Sequence, residues 1–260
     1  MKTRTFEAPN SEVNNLLNLI LTRIKSVLGD KLVGLYLGGS LVLGDFDPNI
    51  SDIDLVAALT SEIDDKEFKE LKNMHAQLVQ EYKPWHDRVE VCYVATAALK
   101  KVKISTDNIV NISPGEPIHR IKLKPIWVTN WYLIRQKGRT LFGPPPKTII
   151  QPISKAEFIQ SVKQHAQSWN KWILNMHTRS AQAYAILTMC RALYAYTKGN
   201  QTSKAKAALW AQAQLPQWAG IIQNALIWRQ TNDKHIDKID HQKTAQFVNY
   251  IRDQILHRQN

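Results

Sequence analysis

The stretch "YLGGSLVLGDFDPNISDIDLV", residues 36–56, decides how the chain is read. An apolar run, "KLVGLYL", predicts a strand that ends in Gly38-Gly39-Ser40, and "DIDLVAAL" predicts a second strand with apolar residues on both sides of its acids. Strand residues two apart face the same way, so Asp52 and Asp54 present their carboxylates together while Ile53 points into apolar packing. Two adjacent oxygen anions repel each other and need a compensating charge. Mg²⁺, held by one or two carboxylates together with substrate phosphates, is the usual one. A bare D-x-D is more often solvent-facing decoration, but this one follows a glycine-serine turn. Glycines let backbone approach a phosphate, and Ser40 offers both a hydroxyl and an N–H.

A third carboxylate lies downstream. In "DRVEVCYV" (87–94) the alternation predicts another strand, with Val89 and Val91 on one face and Glu90 on the other. If this strand lies beside the aspartate strand, Glu90 completes a triad. Its role is then either a further metal ligand or the base that deprotonates an attacking hydroxyl.

Around this centre the pattern predicts helices over 12–28 and 64–82, so the first part runs helix, strand, turn, strand, helix, strand. Four prolines in "GPPPKTIIQPIS" (143–154) interrupt regular structure and mark the domain boundary. Beyond it strand signals nearly vanish. Helices are predicted over 155–176, 181–197, 203–214, 218–229 and 242–257. The fold class expected is α+β: a mixed sheet with helices over 1–146, then an all-α bundle over 147–260.

Composition narrows the function. A 260-residue chain that is 44% hydrophobic can bury a core and is not a disordered segment. No apolar run approaches the roughly 18 residues of a membrane span, and the N-terminus has no secretory h-region. Cys92 and Cys190 both sit in apolar segments, as buried thiols of a reducing compartment do, so a cytoplasmic protein without membrane contact is expected. The net charge of +12 is uneven: from Ser154 onward there are 14 Lys and Arg against 5 Asp and Glu, a local +9. That suits an anionic partner such as a nucleotide polyphosphate or nucleic acid, and equally a basic solvated surface. His86, His119 and His177 form no metal-ligand pattern. Trp127, Trp131 and Tyr132 are candidates for lining an acceptor pocket.

The GGS turn, the SDID strand and the following strand glutamate resemble the polymerase-β-type nucleotidyltransferase superfamily. "RQKGRTLFGPPP" and "AILTMCRALYAYTKGNQTSKAKAALWAQAQLP" extend the resemblance to the streptomycin/spectinomycin (aminoglycoside) adenylyltransferases, over most of the chain. The resemblance implies a nucleotidyltransferase domain followed by a helical one. It implies Mg²⁺ at two sites on Asp52, Asp54 and Glu90, with Glu90 as catalytic base. ATP would be the co-substrate, contacted by Gly39, Ser40 and Ser51, with Arg191 and Lys204 on its phosphates and Trp228 beside its adenine. The partners implied are ATP and a small hydroxylated acceptor, with the chain a monomer. Trp228 as bundle core and Arg191 as an ion-pair residue remain alternatives.

Two departures concern the acceptor. Where the family carries an acidic stretch that meets a cationic antibiotic, this chain has "TRSAQAY" (178–184), with Gln182 at a position expected to be a carboxylate. The family's G-E-W-like segment corresponds only loosely to "SPGEPIHR" (113–120). A strongly basic chain lacking these acids is poorly suited to a polycation. AMP transfer from ATP to a hydroxyl of a small molecule such as an aminoglycoside or aminocyclitol antibiotic, releasing pyrophosphate, is the leading expectation, with a less cationic small acceptor close behind. Nucleotidyl transfer onto RNA or protein, and a silent nucleotide- or RNA-binding module, are the alternatives.

Overall fold

In a computed structural model, which describes residues 10–101, 107–124, 126–231 and 233–257, the chain divides into two compact units, Met1–Ile153 and Ser154–Asn260. The first opens with α1 (Ser11–Leu28), whose Asn10 side chain accepts from the Glu12 N–H and caps it. Then follow β1 (Leu32–Leu37), the short α2 (Gly39–Leu43), β2 (Ile53–Leu59), α3 (Asp65–Glu81) and β3 (Val89–Ala95). A reciprocal capping box of Asp64 and Glu67 starts α3.

Residues 95–142, for which the sequence pattern predicts no element, add α4 (Thr96–Leu99), β4 (Asn108–Ser113), β5 (Glu116–Lys122), α5 (Trp127–Lys137) and β6 (Arg139–Phe142). Among the described residues the sheet thus has six strands in the order β5-β4-β3-β2-β1-β6, parallel only between β2 and β3. The Glu90 strand is interior to the sheet. β4 and β5 escape a pattern reading because they carry polar and proline residues in place of an apolar run, and the four residues of β6 are defined by pairing with β1.

Period-two alternation sorts the sheet's faces. Ile53, Leu55, Ala57 and Leu59 of β2, with Val91 and Tyr93 of β3, pack on the apolar stripe of α1 (Val13, Leu16, Leu17, Ile20, Ile24) and on Leu71, Met74 and Leu78 of α3. The opposite face carries Asp54 and Glu90. The proline-rich segment, with α6 (Pro146–Ile149), is fastened to this unit. Tyr36 donates its hydroxyl to the Pro144 carbonyl at 2.9 Å, and Arg135 donates to the carbonyls of Lys147 and Ile150 at 2.6 and 2.7 Å.

The second unit is a bundle of α7 (Lys155–Trp172), α8 (Arg179–Lys198), α9 (Lys204–Gln214), α10 (Ala219–Thr231) and α11 (Lys238–His257). Its central member is α8, buried along most of its length by alanines and branched aliphatics and packed against the other four. Ser154–Glu157, Thr178 and Ser203 cap the starts of α7, α8 and α9, and Gly199 in the left-handed conformation ends α8. Both cysteines are free and buried.

Candidate active site

The catalytic candidates of the first unit arise from one register. In the parallel β2–β3 pair Asp54 is the direct partner of Glu90, so both side chains leave the same sheet face from adjacent strands about 4.8 Å apart. Asp52 precedes β2 by one residue and is half-buried, as are Asp54 and Glu90. The turn after β1 is drawn onto this centre, with the Gly38 N–H donating to the Asp54 carbonyl at 2.8 Å. Gly39 has φ +58°, and a Cβ there would lie 1.6 Å from Asp54 Oδ2. Only glycine lets the backbone pass so close to this carboxylate. Ser40 follows, its Oγ buried and without a hydrogen-bond partner. A buried hydroxyl left unmatched is unusual, and a ligand oxygen would satisfy it.

Ser51 is placed differently. It is 2% exposed, and its Oγ accepts from the Asp47 N–H at 2.9 Å, so it shapes the loop into β2. Among the described residues no three His, Cys, Asp or Glu side chains form a ready-made metal cage. The donor set of Asp52, Asp54 and Glu90, three carboxylates, fits a hard cation chemically.

The sequence reading missed Arg88. Its guanidinium donates to the Ser51 carbonyl from Nη2 at 2.6 Å and to the Pro48 carbonyl at 2.8 Å, and lies 4.4 Å from the centre of the Trp85 ring. Burial lowers its pKa, while Asp52, Asp47 and Glu12 oppose that shift. The signal was present: clustered carboxylates require a nearby cation, and Arg88 stands two residues before Glu90. On the same face Cys92 remains a thiol, because burial and then Glu90 push its pKa up.

In the second unit Arg191 and Lys204 are half-buried, on α8 and at the start of α9. Lys204 Nζ lies 4.5 Å over the ring of Tyr184, which is itself exposed. Burial and then the charge of Arg191 hold His165 down to about 4, and its Nε2 accepts from Trp169 Nε1 at 3.0 Å. His165 is therefore neutral and adds no second cation there. Trp228 is 7% exposed, and Arg179 covers its ring at 5.4 Å, so it belongs to the bundle core. Gln182 is fully buried. It donates to the His177 carbonyl at 2.9 Å and accepts from Thr244 Oγ1 at 3.1 Å, which removes it from any acceptor-facing surface. Trp127 and Trp131 stack at 5.6 Å on α5, with Trp131 buried. The acids nearest the start of α8, Asp233 and Asp240, are committed to Arg179.

Comparison with known proteins bears on the domains and the fold. The family model for a nucleotidyltransferase domain matches residues 17–110, and that for the C-terminal domain of aminoglycoside adenylyltransferase matches 148–254. No curated protein matches the chain at a significant level. Among solved structures, spectinomycin adenyltransferase AAD(9) from Enterococcus faecialis, with ATP and spectinomycin, is similar at TM-score 0.73 and 14% identity, over 93% of this chain and 98% of that one. A toxin–antitoxin complex with AMP-PNP is similar at TM-score 0.29 and 17% identity, over 61% of this chain and 95% of that one, and carries no argument at that score. The fold and the matched domains define an enzyme of the nucleotidyltransferase type. More narrowly, its two matched domains are a nucleotidyltransferase domain followed by a C-terminal domain of the aminoglycoside adenylyltransferase kind.

Proposed function

We propose that the chain transfers AMP from ATP to a hydroxyl of a small molecule and releases pyrophosphate. The observation that carries this reading is the pairing of Asp54 with Glu90, with the Gly39 backbone set against Asp54 and a buried, unpartnered hydroxyl on the next residue, Ser40. Glu90 would accept the proton of the acceptor hydroxyl as its oxygen attacks the α-phosphorus. The P–O bond to the β,γ-diphosphate then breaks, and pyrophosphate carries away the electron pair. Asp52, Asp54 and Glu90 would hold Mg²⁺, which would supply charge neutralisation at the phosphates. Ser40 would donate to a phosphate oxygen. Arg191 and Lys204 are the cations proposed for the remaining triphosphate charge, and the excess of base in the second unit supports that role. Ser51 acts through loop structure, and Trp228 offers at most an edge to a base.

For the acceptor, an aminocyclitol or another small hydroxylated compound of low positive charge is proposed. A chain of net charge +12, with Gln182 buried and Asp233 and Asp240 paired to Arg179, does not attract a polycation. The solved relative's bound spectinomycin is of this kind. The test is pyrophosphate release with Mg²⁺ and each NTP, screened over spectinomycin, streptomycin and other aminoglycosides, lincosamides and tRNA. Turnover with ATP and a small acceptor is expected. Turnover with tRNA alone would replace the small-molecule reading, and no turnover by folded, ATP-binding protein would remove the transferase reading.

A further inference from the structure

We propose that Arg88 is a positioning residue that fixes the backbone carrying Asp52 relative to the strand carrying Glu90. The inference rests on the reading of the three carboxylates as the metal and phosphate centre.

Loop 45–51 leads into Asp52 and is held internally by short turns: the Ser51 N–H donates to the Asp47 carbonyl at 2.8 Å, and the Asp47 N–H to Ser51 Oγ at 2.9 Å. Its link to the next strand runs through Arg88, one residue before β3. Nε and Nη2 both donate to the Ser51 carbonyl, at 3.2 and 2.6 Å, and Nη2 also reaches the Pro48 carbonyl at 2.8 Å. The Arg88 carbonyl returns the contact by accepting the Ile53 N–H at 2.8 Å. The guanidinium plane rests on Trp85, whose Nε1–H donates to Glu12 Oε1 at 2.9 Å on α1. On the loop side Phe46 stacks on the same Trp85 ring, with centroids 6.2 Å apart and planes 8° from parallel. One arginine thus ties the loop, the start of β3 and α1 into a single block. Ser51 and Asp52 are consecutive, so a carbonyl pinned at Ser51 fixes where the Asp52 side chain begins.

The chemistry needs such a block. The carboxylates form no ready-made cage, so their side chains converge on an ion only if their backbones are already at the right separation. β2 sets Asp54 against Glu90 through its register; Asp52 lies one residue outside the strand, where the Ile53 N–H bond to the Arg88 carbonyl holds one side of it and the Arg88 guanidinium, on the Ser51 carbonyl, holds the other. Lysine cannot take over, because its single ammonium lacks the planar fork and the stacking face that reach both carbonyls and the indole.

Positioning and charge predict opposite results, which makes the assignment testable. Arg88 also places a positive charge near Asp52. If charge were its only effect, Arg88→Gln would tighten binding of a divalent cation and Arg88→Lys would leave it unchanged. If position dominates, both variants weaken it. The experiment is equilibrium Mn²⁺ binding, with and without ATP, followed by electron paramagnetic resonance at a temperature well below melting. Thermal melting of each variant is measured alongside, and Arg88→Lys serves as the milder change. A rise of about tenfold or more in the Mn²⁺ Kd of both variants is expected. A Kd in either folded variant equal to wild type, or tighter, overturns the inference. Failure of wild-type protein itself to bind Mn²⁺ or ATP–Mn²⁺ would instead remove the reading of the centre.

Discussion

Replacing Gly39 by alanine separates the site's geometry from the fold's stability. The added methyl carbon would lie 1.6 Å from Asp54 Oδ2 and 2.4 Å from its Cγ, at a backbone angle of φ +58°. Left-handed conformation costs an alanine about 1–2 kcal/mol. In a unit of this size, at roughly 2–4 °C per kcal/mol, that lowers the melting temperature by roughly 2–8 °C. The overlap with the carboxylate cannot be absorbed by small shifts, since carbon and oxygen need about 3.3 Å. Asp54 must rotate away, and its backbone cannot follow because Gly38 N–H and the β2–β3 ladder hold it. A reacting group displaced by about 1 Å loses on the order of a hundredfold in rate. The assay pairs melting with Mg–ATP calorimetry and with turnover on the acceptor found by the screen. Expected is a small loss of stability with turnover down about a hundredfold and weaker Mg–ATP binding. A folded Gly39→Ala protein with turnover within a few-fold of wild type would refute the placement of Asp54 at the reacting centre.

Other outcomes follow from single contacts. Glu90→Gln keeps size and hydrogen bonding but not basicity, so turnover should fall by roughly 10²–10⁴-fold while calorimetric ATP binding persists. Gln182→Glu would bury a carboxylate against the His177 carbonyl; it should destabilise the bundle by about 3 kcal/mol, seen in urea unfolding, without creating aminoglycoside binding. Acid stability should follow two buried histidines, His75 and His165, each lowered to about 4 by burial, with Arg191 adding to the effect at His165. Between the unfolded value near 6.5 and the folded value near 4 the unfolded chain binds more protons, so stability falls as pH drops through that window. Each histidine accounts for at most about 3 kcal/mol of that loss, and His165→Gln should flatten the second unit's part of it in melts from pH 7 to 4.

Much of the centre was legible in sequence because it depends on local periodicity. Asp52 and Asp54 are read from the two-residue repeat, Glu90 from its apolar flanks, and the bundle from helical spacing and caps such as Ser154 and Gly199. The central α8 was read correctly as a helix, yet the exposure of its residues was not. Gln182 looks like a polar surface residue until Thr244 and His177 are seen to close around it. Trp228 is likewise ambiguous until Arg179 covers it.

By itself, the sequence determined that two closely spaced aspartates, a strand glutamate and a glycine-serine turn belong to a nucleotidyltransferase-like domain joined to a basic helical one. The tertiary structure decided that Glu90 pairs with Asp54, that Gly39 passes against the Asp54 carboxylate, that β4 and β5 continue the sheet beyond β3, and that Arg88 binds the aspartate loop. The division has a physical reason. Periodicity and capping are set by residues within a few positions of each other. Register, close approach and the partner of a buried amide or guanidinium are set by segments that meet only when the chain folds.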